Sequence, residues 1–355
     1  MPAALGALNS RFKLESHDHD GDFIAALPYR NVQYEQMLNV SGQSFRCEIP
    51  YRGYSQVNQS NLYPGKHELW FYDNKVSQDD PVFAGPLWDA TPASSTGVLS
   101  CAAQDPLSYL AKRELKTNKV YSAQGGADII INLIAYVNSI RSTQMTTNKV
   151  TSNAQTMSPT YRAIDRNFIL DLIDATSTST DGVDFFFRTV GASHVLQLYG
   201  GKIKPAAALS NTLEYGGNMD GYSVQYNAQA IGNDYDIANS NNVIGNAVDA
   251  ANQTAYDALY QIIERGSHLS NLTALNNSAT SQVKATATTK IIPALVSRVL
   301  TPIKDFDFGS QFTVIINDEY VQYNNLIRVV GWQNTISQGD KLTTVIYTKD
   351  TAEVA

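Results

Sequence analysis

Charge is scarce in this sequence. Only 17% of its 355 residues are Asp, Glu, Lys or Arg, against about 25% in ordinary soluble domains. The 26 basic and 33 acidic residues leave a net charge of -7. No cluster of Lys and Arg stands out along the chain, which argues against a nucleic-acid binder, because phosphate affinity rests largely on such clusters. Cysteine is scarcer still. Cys47 and Cys101 make neither a disulfide framework nor a metal-ligand spacing and are expected to be reduced, packed thiols. The five histidines, His17, His19, His67, His194 and His268, leave few bases for a nucleophilic triad. The longest apolar run, residues 129–137, is interrupted by Asn132 and falls far short of a membrane span. No signal peptide is expected, since Arg11 and Lys13 follow the short apolar stretch at residues 1–7 instead of preceding it. Synthesis and folding in a cytosol are the expectation.

Missing motifs exclude further chemistry. Gly65-Lys66 lacks the upstream glycine of a phosphate loop, and Gly201-Lys202 is followed by Ile203 where a hydroxyl residue is needed. No Gly-x-Ser-x-Gly elbow occurs. His67-Glu68 lacks the second histidine of a helical zinc site. In place of charge stand Asn, Ser, Thr, Gln and 20 tyrosines. Such surfaces suit permanent contacts, because interface cores lose Lys, Glu and Asp and gain Tyr and Trp; a β-rich composition explains them equally well.

Short apolar runs between turn clusters predict strands within residues 31–40, 43–50, 62–73, 81–90 and 97–103, with Pro86 marking an edge or bulge. Asp105-Pro106 opens a helix over residues 107–115. Residues 127–141 carry Ile130, Leu133, Ile134 and Val137 at helical spacing with Asp128 in the first turn. Residues 142–160 have no apolar period and read as a long exposed loop. A second helix is expected over 163–175, with Ile164, Phe168 and Leu172 on one face, then a hairpin from 183–189 and 195–199. Further strands are expected at 213–214 and 222–227, an irregular excursion at 228–254, and helices at 256–264 and 271–290. The β pattern returns at 295–300, 312–316, 325–332 and 342–348. The order is β, then mixed, then β, without a fixed-period repeat.

Candidate chemistry is sparse. His17-Asp18-His19-Asp20-Gly21-Asp22 offers two imidazoles and three carboxylates that could hold a divalent ion. It misses the calcium-loop pattern and reads as a solvated turn. Asp79-Asp80, or Asp305 with Asp307, could serve glycoside hydrolysis, but adjacent acids beside Gly and Pro are turn residues first. Trp70-Phe71 and Trp88, or Tyr222 with Tyr226, could stack sugars, although sheet packing explains them. No catalytic, cofactor-binding or metal-binding residue is assigned.

The order of segments carries a resemblance. Leu62-Tyr63-Pro64-Gly65 and its following strand, residues 81–88 (Pro-Val-Phe-Ala-Gly-Pro-Leu-Trp), Gly97-Val98-Leu99-Ser100-Cys101 and Pro106-Leu107-Ser108-Tyr109-Leu110 resemble the amino-terminal part of tailed-phage hub proteins, the minor tail or baseplate hubs akin to those of contractile tails. The resemblance continues through residues 169–173, 183–188 and 256–265, then Asp307-Phe308-Gly309-Ser310 and residues 327–332. Many relatives have Gly-Asp where Gly309-Ser310 stands, and many add a wall-degrading domain for which this chain has no room.

The resemblance implies an α+β, mainly β fold in which two similar β barrels flank a mixed region, the second barrel being discontinuous. Residues 1–116 would form the first barrel and 117–210 the mixed domain. Residues 211–238 and 295–355 would form the second barrel, and 239–294 a loop and helical part of the mixed domain. It also implies a homotrimer at the virion's distal tail tip, adapting a sixfold tube to a threefold tip and lining the DNA exit channel. The implied partners are a tail-tube or distal-ring protein, the tape measure protein, a central fibre or other tip proteins, and DNA in transit. Two rivals remain: a peptidoglycan-degrading enzyme, using carboxylates or a metal on His17 and His19, and a monomeric carbohydrate-binding module.

Overall fold

The computed structural model describes residues 11–40, 42–152, 156–177, 182–201, 203, 208–227, 231–239, 243–267, 272–286, 290–337 and 339–350. The fold is α+β and mainly β. The chain divides into two compact units, residues 1–221 with 295–347, and residues 222–294 with 348–355.

The first unit begins with β1 (Phe12–His17), β2 (Phe23–Leu27), β3 (Arg30–Met37), β4 (Ser44–Pro50), β5 (Glu68–Asp73), β6 (Phe83–Ala93) and β7 (Val98–Gln104). The alternation expected of a half-buried strand is plain in β3 and β4, where Val32, Tyr34, Phe45, Cys47 and Ile49 face inward. β6 pairs with β5 through Phe83–Pro86 and with β7 from Leu87 onward, with a register shift between Leu87 and Asp89 beside the expected irregularity at Pro86. The sheet curls around one core in which the Phe71 ring meets Phe12, Tyr29, Tyr34 and Phe45 at 5.6 to 5.8 Å. Cys47 and Cys101 are buried free thiols on directly opposed positions of β4 and β7, and burial pushes the Cys47 thiol well up.

A 3-10 helix, Pro106–Lys112, follows, capped by the Asp105 carboxylate on Leu107 N–H at 3.0 Å. Then come β8 (Lys119–Val120), α1 (Gly126–Ile140), β9 (Met145–Thr151), β10 (Thr160–Tyr161), α2 (Ile169–Ser177), β11 (Val183–Val190) and β12 (Ser193–Gly200). α1 buries Ile130, Leu133, Ile134 and Val137, the stripe read from the sequence, against α2 and the sheet β11-β12-β9.

Two expectations fail here. Residues 145–151 form a strand, not a loop: β9 pairs in parallel with β12 while exposing most of its polar side chains, so backbone pairing holds it without an apolar period. The single helix over 163–175 is broken, because Arg166 takes a left-handed conformation (φ 53°) after a three-residue 3-10 turn and α2 starts only at Ile169. Ile164 and Phe168 are therefore not on a buried face. They are 84% and 44% exposed.

β13 (Ala208–Glu214) closes this part of the chain, followed by β14 (Gly221–Asn227), β15 (Asp234–Asn239), β16 (Ile244–Val248), α3 (Ala250–Tyr256), β17 (Gln261–Ser267) and α4 (Leu272–Thr286). In the second unit the sheet β16-β15-β17 packs Tyr235 and Ile237 on Leu275, Ala279 and Val283 of α4. The irregular excursion expected at 228–254 thus contains two strands, whose alternating Tyr235 and Ile237 are the missed signal. The helix expected at 256–264 lies earlier, capped by Asp249 and stopped by Asp257 at φ 48°, and β17 takes its place.

The chain ends with β18 (Lys290–Ser297), β19 (Gln311–Asn317), β20 (Gln322–Ser337) and β21 (Lys341–Asp350). β13 pairs in parallel with β19, and β19 antiparallel with the first half of β20. The second half of β20 pairs with β3, so strands at opposite ends of the sequence share one sheet in the order β21-β20-β3-β4-β7-β6-β5-β1-β2. Gly331, opposite Met37, sits at this seam, and an added Cβ would lie 2.2 Å from Met37 Sδ and 2.7 Å from Gln36 O. Gly331→Ala is expected to cost about 1–3 kcal/mol through overpacking, read as a lower thermal midpoint.

Candidate functional site

The polar groups of the first unit converge on buried junctions, not on an open cleft. Glu68, the first residue of β5, is 1% exposed. Its Oε2 accepts from Trp70 Nε1 at 2.9 Å and is 2.9 Å from His194 Nε2, while Tyr109 OH donates to its Oε1 at 3.1 Å. His19 Nδ1 stands 2.8 Å from that hydroxyl and 3.7 Å from Oε1. Burial works to raise the Glu68 pKa, but the His194 charge and the hydrogen bonds from His19, His194 and Trp70 outweigh it and hold the pKa down at about 2. Burial and the Glu68 charge push Tyr109 far up. One carboxylate thereby ties β5 to the β1–β2 turn, the 3-10 helix and β12.

Asp184, the second residue of β11, makes the second junction. It is 1% exposed and accepts from Arg328 Nη2 at 3.2 Å, Asn39 Nδ2 at 2.7 Å and Ile203 N–H at 2.7 Å. Asn39 Oδ1 in turn accepts from Phe185 N–H at 2.8 Å. Arg328 is 2% exposed, and its Nε has no hydrogen-bond partner among the described residues. Nearby, Asp307 pairs with Arg188, and Phe308 lies 4.6 Å from Phe186 and 4.4 Å from Trp332. The Asp307-Phe308-Gly309-Ser310 motif is a turn, with Gly309 at φ 80°, that docks β11 onto β20.

Asp105 makes a third junction, accepting N–H groups of Gly42, Gln43 and Leu107. Burial pushes its pKa up to about 7 against the pull of those donors.

The residues singled out in the sequence fall apart. His17 is buried, its ring stacked 4.1 Å over Trp70 and its Nε2 3.0 Å from Glu15, whereas His19 lies at the surface. Asp18 accepts the N–H groups of Asp20 and Asp22, as a turn residue does. Among the described residues no group of three or more His, Cys, Asp or Glu is arranged to hold a metal. Asp79 and Asp80 lie in a turn on Ser77, and Asp305 in a turn on Thr301. Trp70 and Phe71 are buried, and Trp88 donates to Ser108 Oγ at 2.9 Å. His268 and the Tyr226 side chain lie outside the described residues. A cleft of about 550 Å³ at the ends of β4, β6 and β7, lined among others by Tyr51, Leu62, Tyr63 and Pro92, was not foreseen. Glu68 itself was legible in one respect: an acid opening the run Leu69-Trp70-Phe71-Tyr72 needs a partner if the strand is buried.

No protein-family model and no curated protein matches the sequence. Solved structures do. The 43 kDa tail protein of prophage MuSo2 from Shewanella oneidensis has a TM-score of 0.71 at 10% identity, over 97% of this chain and 99% of that one. A tail protein from Neisseria meningitidis has a TM-score of 0.69 at 13% identity, over 97% and 98%. An E. coli component of the type VI secretion system, described as structurally similar to phage T4 tail proteins gp27 and gp5, has a TM-score of 0.51 at 9% identity, over 91% and 74%. The fold is that of phage tail and hub proteins. Among the described residues no helix is long and apolar enough to cross a membrane.

Proposed function

We propose that this chain is a structural virion protein that forms a trimeric hub ring at the distal end of a phage tail, joining a sixfold tube to a threefold tip and lining the channel through which the genome leaves. The observation that carries this reading is the likeness to phage tail proteins along almost the full length of both chains. Its domain division is the one read from the sequence, with residues 1–116 as one barrel, 211–238 and 295–355 as the other, and the mixed domain between. Two such barrels in each of three subunits supply six similar units, the number a sixfold tube presents. The partners are the tail tube or distal ring, the tape measure protein and a central fibre, with DNA in transit and a role in host attachment and genome ejection. No residue is assigned a catalytic role.

The low charge fits this role, because ion pairs at a permanent interface are costly to desolvate, while Tyr, Asn, Ser and Thr bring area and neutral hydrogen bonds. A threefold-averaged map of the virion tip is expected to show three copies around a channel; a single copy, or a location elsewhere on the virion, overturns the reading. A zymogram on host cell walls is expected to stay opaque. Clearing by the isolated chain, abolished by a carboxylate substitution, overturns the non-enzymatic part.

A further inference from the structure

Lys112, Arg113, Lys116 and Lys119 stand within eight residues of the sequence, and the fold brings two more cations beside them. Residues 111–120 and 160–169 lie side by side: Thr160 and Tyr161 pair with Val120 and Lys119, Ala163 N–H donates to Asn118 Oδ1 at 2.8 Å, Leu115 N–H donates to Asn167 O at 3.1 Å, and Ile169 N–H donates to Arg113 O at 2.8 Å. These twenty residues hold six cations, Lys112, Arg113, Lys116, Lys119, Arg162 and Arg166, against two acids, Glu114 and Asp165. Of 26 basic and 33 acidic residues in the chain, the other 335 positions therefore keep 20 and 31. A patch of +4 stands on a remainder of -11.

Among the described residues, only part of this charge is engaged. Arg166 lies 3.5 Å from Glu114, and the Lys112 and Lys119 ammonium groups sit 4.8 and 5.0 Å over the Trp88 and Tyr136 rings. Lys112, Lys116, Arg162 and Arg166 are exposed. Among them stand Ile164, Val120 and Phe168, at 84%, 72% and 44% exposure. A left-handed Arg166 breaks the helix that would have buried Ile164, so the broken geometry itself presents this side chain outward. Apolar side chains ringed by charge have the composition of a protein-docking surface.

We propose that this patch is a heterologous contact surface whose occupant is the acidic surface of a second copy of the same chain. The argument is charge complementarity: the fold gathers nearly a quarter of the cations in one place and leaves every other copy net acidic, so the patch of one molecule attracts the remainder of the next. A contact between two different surfaces of identical chains propagates head to tail and closes into a ring when the rotation permits. This rests on the trimeric-ring reading and names a surface for it.

Sedimentation velocity of the full chain tests it. The wild type is expected to self-associate, less so as salt is raised. Lys116→Glu with Arg162→Glu, and separately Ile164→Ser, are expected to weaken association by about tenfold or more. Lys75→Glu, an exposed charge reversal away from the patch, is expected to leave it unchanged, and thermal melts of all variants show whether they are folded. If the wild type associates and the folded patch variants associate equally well, the surface is wrong while the ring reading stands. If the wild type stays monomeric at high concentration, both fall. Anisotropy of a labelled DNA duplex covers the other anionic partner: binding by the wild type that the patch variants lose, with self-association unaltered, assigns the patch to nucleic acid and overturns the proposal.

Discussion

Glu68→Ala is expected to lower the unfolding free energy by about 3–5 kcal/mol, the cost of leaving one member of a buried charged network without its partner. The substitution deprives Trp70, Tyr109 and His194 of their shared acceptor in one step. Urea denaturation of wild type and variant measures it, and a change below about 1 kcal/mol would show that the junction is only surface-like in strength. The pH dependence has a definite sign. An unfolded Glu titrates near 4.5 and the folded one at about 2, so between these values the unfolded chain binds more protons. The stabilisation is full above pH 4.5 and is lost as pH falls through 2. Asp105 acts oppositely. Its pKa rises from 3.8 to about 7, so the folded chain keeps a proton the unfolded chain has released, and stability falls as pH rises across that window. Glu68→Gln should remove the acid wave and spare the other.

Arg328→Ala is expected to cost about 3 kcal/mol or more, because it removes the guanidinium that pairs with the buried Asp184 carboxylate. Its diagnostic is the double variant. Asp184→Asn added to Arg328→Ala removes the stranded charge and should recover part of the loss, giving a coupling energy of about 1–3 kcal/mol in a double-mutant cycle. Strict additivity would mean that the 3.2 Å contact contributes nothing.

How much of this was legible depends on where the information lies. The α1 stripe, the Asp105 cap, the β11–β12 hairpin and the segment order behind the hub resemblance are local patterns, and the structure has them. β9 was not read because it lacks an apolar alternation, although its β-branched Thr146, Thr147, Val150 and Thr151 suit the strand that pairs with β12. The break at Arg166 was not legible because the apolar spacing of Ile164, Phe168 and Leu172 suits a helix, and only the local left-handed turn overrides it. The junctions are less local still. Glu68 and His194 are 126 positions apart, and Asp184 and Arg328 144. No motif spacing announces such pairs. The basic patch belongs in part to the same class, since Arg162 and Arg166 join the cations of residues 112–119 only through the pairing of two segments distant in sequence.

The seam between β3 and β20 sets an order of events during synthesis. β3 emerges among the first forty residues and finds β4 soon after, but its other edge is completed only by residues 331–336. Until residues 331–336 emerge, the sheet that holds β3 therefore carries an open edge that can accept a foreign strand. Closing it requires a loop of about 300 residues, the kind of long-range pairing that folds slowly. Residues 331–336 thus reach a strand made some 300 residues before them, and the sheet is finished only after that delayed closure.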